Sequence, residues 1–300
     1  MIRKQIVITG GLGFIGRNFF KKLDKELKNY LIIIYDKSVI NFNKNLLKSK
    51  NNKIVFIKGN TMDIKKKLSK FKNVKTLFHF GEFSRIFQSF ENIDECFLSN
   101  TLGSFRVINY CRENKIKIVY SASSSKFGNK GNDQHLSPYS WTKSKNIELI
   151  KNYSKWFGLN YEIVYFFNVY GEDHSRYGKM SAVIGVFEGQ YLKNKPLTVV
   201  SPGTQLRDFT HISDIVNGTF LAYKKNLGKE YLLGTGKLYS IIEIGRFFKH
   251  KIKMVPKRKG ERLSSLFIGK NNQALRYLKY KPKVKIKDYI NEFIKKRKKK

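Results

Sequence analysis

The sequence predicts an α/β protein built on a parallel, doubly wound sheet, with a smaller and less regular lobe after it. Three observations predict this. Six short apolar runs recur along the first half: "QIVITG" (5–10), "YLIIIYD" (30–36), "KIVFIKG" (53–59), "TLFHFG" (76–81), "IKIVYSAS" (116–123) and "NYEIVYFFN" (160–168). Successive runs are separated by enough chain for a crossover helix, and uninterrupted apolar strands belong to sheets covered on both faces. From about residue 169 the alternation fades into loops such as "GEDHSRYGKM" and "SPGTQLRDF". The expected organisation is a first unit over 1–168 and a lobe over 169–300, with part of 207–225 returning to the first unit.

Taken in order, the first run is a strand, and the segment 14–28 then places Phe14, Ile15, Phe19, Phe20, Leu23 and Leu27 at helical spacing. The second strand ends in Asp36, and the third in Gly59, followed by Asn60 and Thr61. Helices are expected at about 89–115 and 138–157, flanking the fifth strand. With 300 residues and 41% hydrophobic content the chain can bury a full core. No linker rich in Pro, Gly or Ser divides it, and no internal repeat is present. No window approaches the roughly 20 apolar residues of a membrane span. The start "MIRKQIVITGG" reads as a strand entering a turn and not as a leader peptide, so a soluble, cytoplasmic protein is expected. Cys96 and Cys111 form neither a bridge framework nor a metal-ligand spacing, so neither a disulfide nor a metal is expected.

The charge is extreme: 60 Lys+Arg against 22 Asp+Glu give a formal +38. Such a balance suits an acidic partner, whether nucleic acid, an anionic membrane or a phosphorylated small molecule. The lysines, however, are scattered through loops and helices among abundant Asn, Ile and Phe, as compositional bias would scatter them. Only "KKRKKK" (295–300) is a block, and a solvated terminus accounts for it. No specific nucleic-acid partner is expected.

Between the first strand and first helix lies "TGGLGFIG", with Gly10, Gly13 and Gly16 spaced G-x-x-G-x-x-G. A tight turn, a close approach to a diphosphate and close packing of helix on strand each demand the absence of a Cβ. The helix N-terminus then offers unpaired N–H groups to the phosphate. Twenty residues after Gly16, Asp36 closes the second strand, where a carboxylate binds both hydroxyls of an adenosine ribose and repels a 2′-phosphate. A dinucleotide site follows, with NAD favoured over NADP.

Farther on, "SPYSWTKSK" (137–145) sets Tyr139 four residues ahead of Lys143, on one face of a helix. Such a pair is common on wet helix surfaces, and by itself it signifies little. Glycine turn and Tyr-x-x-x-Lys together resemble the extended short-chain dehydrogenases with a Rossmann-type fold, specifically the NAD-dependent epimerase/dehydratase family, UDP-glucose 4-epimerase-like. Nearly the whole chain is covered. "LFHFG" is similar to the family's His-x-Ala-Ala region, Asn100 in "SNTLGSFRVINYC" to its Asn-x-x-Gly-Thr helix, and "YSASSSKFG" to its serine-rich strand end. "YFFNVYG", "TQLRDFTHISDI" and "RKGERLSS" resemble three later segments of the lobe.

The resemblance implies a catalytic trio of Ser123, Tyr139 and Lys143, with Ser124 as the fallback for Ser123. Tyrosine ordinarily ionises near pH 10, and a neighbouring ammonium and the positive nicotinamide ring would both favour the tyrosinate that a base requires. Cofactor contacts implied are Gly10, Gly13, Phe14, Ile15, Gly16, Asp36, Asn60, Thr61, Phe80, Gly81, Asn100, Tyr139, Lys143 and Phe166. Substrate contacts implied are Ser84, Ser123, Ser124, Asn168, Arg207 and Arg258, the arginines gripping phosphate through paired hydrogen bonds or standing in structural salt bridges. The implied reaction oxidises C4 of a nucleotide-diphosphate sugar transiently and returns the hydride to the other face. The two long helices would pair two copies as a homodimer.

Several positions depart from the family. Ser124 and Ser125 stand where 4,6-dehydratases carry Asp-Glu, which disfavours elimination of water. Tyr165 replaces the usual Arg, Asn60 the usual Asp, and Phe127 the usual Tyr before Gly128. Glu82 is unusual beside the nicotinamide pocket, with a surface or capping role as open to it as substrate recognition. His79 and His211 read as structural. Alternatives within the family are a reductase, decarboxylase, dehydratase or 6-epimerase; outside it, a non-catalytic NAD sensor that binds nucleic acid.

Overall fold

Seven strands, all parallel, form the central sheet of the computed structural model, which describes residues 3–38, 47–127, 135–261 and 273–298. Along the first half run β1 (Gln5–Thr9), α1 (Phe14–Glu26), β2 (Leu31–Asp36), β3 (Lys53–Lys58), α2 (Ile64–Leu68) and β4 (Val74–His79). There follow α3 (Gln88–Glu91), α4 (Ile93–Phe97), α5 (Ser104–Glu113), β5 (Lys117–Ser123), α6 (Pro138–Phe157) and β6 (Tyr161–Phe166). The second half adds β7 (Asn168–Tyr170), α7 (Val183–Leu192), β8 (Leu197–Val200), β9 (Leu206–His211), α8 (Ile212–Tyr223) and β10 (Glu230–Leu233). Last come β11 (Leu238–Ser240), α9 (Ile241–Phe247), β12 (Ile252–Val255), α10 (Gln273–Leu278) and α11 (Ile286–Lys298).

The sheet order is β10-β6-β5-β4-β1-β2-β3. Its strands are apolar on both sides because both sides are covered. In β2, Ile32 and Ile34 enter a core shared with α1 and α8, while Ile33 and Tyr35 enter the opposite core with α2, α5 and α6. This is the Rossmann-type arrangement of three layers. Six strands coincide with the six apolar runs. The seventh, β10, comes from the second half and pairs with β6 from Glu230↔Ile163 to Leu233↔Phe166. A third core, around Tyr170, Phe187, Val199, Phe209, Phe248 and Ile290, sits in the lobe with the β11-β9-β7 and β12-β8 sheets.

From β1 the chain winds to β2 and β3 on one side, then crosses to β4 on the other. The two halves therefore diverge between β1 and β4, and a crevice opens at the carboxyl ends of those strands. The single helix expected over about 89–115 is instead α3, α4, a π-helical stretch Leu98–Gly103 and α5. The wider turn accommodates one inward-facing side chain more than an α-helix would, and that side chain is the fully buried Asn100. Among the described residues no helix is long and apolar enough to cross a membrane. Cys96 and Cys111 are both buried and unpaired.

Candidate active site

The glycine turn lies at the mouth of that crevice. Gly10 has φ +64°, and a Cβ there would stand 2.7 Å from Gly81 Cα, so glycine alone lets the loops after β1 and β4 touch. A Cβ on Gly16 would stand 2.3 Å from the Gly10 carbonyl oxygen, which fixes how closely α1 packs on the turn. Gly13 caps α1, and no acidic side chain stands in the first turn, which also holds Phe14 and Ile15. Asp36 at the end of β2 accepts from the Leu12 N–H and the Ser38 N–H, both at 3.0 Å, one on each carboxylate oxygen. Each oxygen retains a second acceptor position.

On the other side of the crevice, α6 opens with Ser137 as N-cap, its Oγ accepting from Ser140 N–H at 3.1 Å, and Pro138 in the first turn. That start places Tyr139 and Lys143 one turn apart on the buried face of α6. Tyr139 packs with Phe83, Ile86 and Cys96, and its N–H donates to Ser89 Oγ at 3.3 Å. Lys143 Nζ donates to the Ser121 carbonyl at 2.5 Å, near the end of β5. Ser123 closes β5 directly opposite Phe166 of β6, and its Oγ accepts from Ser125 N–H at 3.2 Å; Ser124 is buried beside it.

Lys143 has a second partner, which no spacing in the sequence ties to the Tyr/Lys pair. Its ammonium is paired with the Glu82 carboxylate, the two side chains being 7% and 2% exposed. Glu82 also accepts from Ser104 Oγ at 2.6 Å, Asn146 Nδ2 at 2.9 Å and Tyr120 OH at 3.1 Å. Burial raises the carboxyl's pKa, but the Lys143 charge and these donors outweigh it and hold the group below the usual carboxylate range. His79 completes the cluster between Thr9 Oγ1 (2.7 Å) and Ser104 Oγ (3.0 Å), and burial pushes its pKa down to about 4.

The remaining residues of the sequence reading fall into two groups. Asn60 caps the short turn at Thr61–Asp63 and accepts from Met62 N–H at 3.1 Å. Thr61 is buried against Gly103, and Phe80 contacts Phe166 ring to ring at 6.2 Å. Asn100 spends its amide on the Phe83 backbone, accepting from N–H at 2.6 Å and donating to C=O at 3.0 Å. In the lobe, Asn168 Nδ2 donates to the Asp208 carbonyl at 3.0 Å, and Arg207 is paired with Glu261 at 3.0 Å. Arg258 is exposed and lies over the Phe87 ring, while Ser84 is exposed on the same loop. Gly260 abuts Ile86, which also packs on Tyr139, so the lobe loop carrying Arg258 reaches the neighbourhood of the Tyr/Lys pair.

The sequence profile of the NAD dependent epimerase/dehydratase family matches residues 6–234, from β1 through β10. The chain belongs to that family. An uncharacterized protein of Methanocaldococcus jannaschii is 30% identical over 97% of this chain and 95% of its own length. A protein of Thermodesulfobacterium geofontis named UDP-glucuronate 4-epimerase is 30% identical over 79% and 78%. Among solved structures, UDP-N-acetylglucosamine 4-epimerase from Methanobrevibacter ruminantium superposes with a TM-score of 0.84 at 24% identity, covering 98% of both chains, a likeness of fold.

The cofactor of this epimerase/dehydratase family member is NAD. The residues fit it: the Gly10, Gly13 and Gly16 turn leaves a backbone surface without Cβ atoms, the α1 N-terminus carries no acidic side chain against a diphosphate, and Asp36 keeps acceptor capacity for ribose hydroxyls. Among the described residues no cluster of His, Cys, Asp or Glu could hold a metal ion. Glu82 carried one signal in the sequence, an acid set directly after a strand and a glycine. Its partners, drawn from α5, β5 and α6, carried none.

Proposed function

We propose that this family member interconverts C4 epimers of a nucleotide-diphosphate hexose. The observation that supports it best is the buried Tyr139/Lys143 pair at the start of α6, facing the crevice that the glycine turn enters from the opposite side. In this reading residues 1–168 hold NAD and 169–300 hold most of the nucleotide sugar, although α8 and β10 pack with the sheet. When bound, NAD supplies a two-electron acceptor that takes hydride from a secondary alcohol and gives it back.

Tyr139 removes the proton of the sugar 4-hydroxyl and later returns it to the same oxygen. Tyr139 is phenolate before it takes that proton and again after it returns it, and the ammonium end of the Lys143–Glu82 pair lies one helical turn away. Ser123 hydrogen-bonds the reacting oxygen from the end of β5. Arg207, Asn168 and Arg258 take the diphosphate and nucleotide from the lobe side. Ser124 and Ser125 offer neither the acid nor the base that elimination of water across C4–C6 would need, so the keto sugar is reduced rather than dehydrated. The names of the relatives given above, two of them 4-epimerases, support the same reading. The exposed apolar residues of α4, the π stretch and α6 support a homodimer.

The test is to incubate the NAD-loaded protein with paired UDP-, dTDP- and ADP-sugars and follow the products by NMR. One C4 pair should interconvert without net change in NAD, and Tyr139→Phe should slow it by about 10²–10⁴-fold, the range of general acid–base catalysis. Accumulation of a keto sugar, with no epimer formed, would overturn it in favour of a dehydratase or decarboxylase.

A further inference from the structure

We propose that Glu82 is a positioning residue whose carboxylate neutralises the Lys143 ammonium and thereby sets the pH at which Tyr139 becomes a base. The proposal rests on the reading of Tyr139 as that base. Its structural ground is the buried pair itself. An isolated Lys143⁺ at this place would present its full charge to the phenol one turn away, whereas Lys143⁺ paired with Glu82⁻ presents a dipole.

Glu82 is fastened for this role from three elements besides its own loop. Ser104 of α5, Tyr120 of β5 and Asn146 of α6 all donate to Oε1, which leaves Oε2 to Lys143. A carboxylate held by three neutral donors keeps its charge and its place when the pocket changes occupant. The other groups around it do not alter the field near neutral pH. His79 on β4 stays neutral above about pH 4, and burial pushes the Cys96 thiol of α4 up to about 11. Burial also pushes the Tyr120 hydroxyl well above its ordinary value, so it remains a donor. Arg85, three residues after Glu82, is a cation that acts on Tyr139 alike in every variant: burial lowers its pKa and Tyr139 opposes that, and it donates to the Met180 carbonyl at 2.8 Å and the Ser84 carbonyl at 2.8 Å. Tyr139 itself comes from α6 with Lys143. The pair is therefore the charge balance that substitution can shift.

Two variants test it: Glu82→Gln, which removes the carboxylate charge in the same volume, and Glu82→Gln/Lys143→Met, which removes both charges. The readout is the ionisation of Tyr139, followed by NMR of ¹³Cζ-labelled tyrosine in the NAD-loaded protein and assigned by its loss in Tyr139→Phe. Glu82→Gln should move the midpoint to lower pH by about one unit, the effect of an unbalanced neighbouring charge. The rising limb of kcat/KM should move with it. The double variant should titrate close to the original protein, since both clusters are neutral.

An unmoved midpoint in Glu82→Gln would overturn the proposal, as would a double variant that ionises a unit or more higher than the original protein. That second result would mean Lys143 acts at full charge and Glu82 is only scaffold. The double variant buries no unpaired charge, so it decides the matter even if Glu82→Gln does not fold. The NMR midpoint needs no turnover. Midpoints that move as stated, with no sugar epimerised, would sink the epimerase reading and leave this one standing.

Discussion

His79 shows how a residue can sit in a reaction centre and serve the fold. Its ring is fully buried between Thr9 and Ser104, and burial lowers its pKa from 6.5 to about 4. Because the folded value lies below the unfolded one, the unfolded chain takes the proton first as pH falls. The stabilisation is complete above about pH 6.5 and drains away between 6.5 and 4, by about 3 kcal/mol in all. Urea titrations at pH 7 and pH 4.5 should show that loss, and His79→Asn, which cannot take the proton, should show a smaller one. His211 is also held below its ordinary value by burial and loses stabilisation as pH falls below 6.5, so the Asn variant flattens the slope without abolishing it. At this scale the sequence was legible where a residue's partner is near in the chain. Tyr139 and Lys143 are i and i+4, and the three glycines lie within one turn. Glu82 was not legible, because its meaning depends on Ser104, Tyr120 and Asn146, up to 64 residues away.

Elements divide by the same rule. Strands β1 to β6 could be read from their apolar runs, since a strand covered on both faces must be apolar throughout. Strand β10 and the short lobe strands β7, β8, β9, β11 and β12 could not: they are three to six residues long and take their form from pairing with distant partners. The break in the helix after β4 was hidden because a π turn has no composition of its own. It brings Asn100 inward to satisfy both backbone groups of Phe83, whose N–H also donates to Ser99 Oγ at 3.2 Å. Asn100→Ala strips the carbonyl of its donor and weakens the N–H contact, at a cost of about 2 kcal/mol by the usual penalty for a buried unsatisfied group. Chemical denaturation should register that drop. Because the same bonds hold the Glu82–Phe83 loop against the π stretch, NAD affinity should fall in parallel; unchanged stability would mean that this brace is idle.

The whole molecule is governed by charge and by an apolar face that opposes it. Ile93 (50% exposed), Leu98 (51%) and Trp156 (61%) stand on α4, the π stretch and α6, with Phe97 stacked on Trp141. Large apolar side chains gathered on neighbouring helices suit burial against a second copy. Yet each copy carries a formal +38, so two copies repel at distances that salt controls. At 0.01 M ionic strength the screening length is about 30 Å, and at 0.15 M about 8 Å. Apolar burial does not fade with added salt; the repulsion does. Self-association should therefore strengthen as salt rises, the reverse of what nonspecific binding to nucleic acid would show, since that weakens through counterion release. Sedimentation velocity at 20 mM and 300 mM NaCl separates the two: the dimer fraction should rise with salt, and Leu98→Arg, which adds charge to the centre of the face, should keep the protein monomeric at both. A dimer that dissociates on adding salt would place the contact on charged rather than apolar surface.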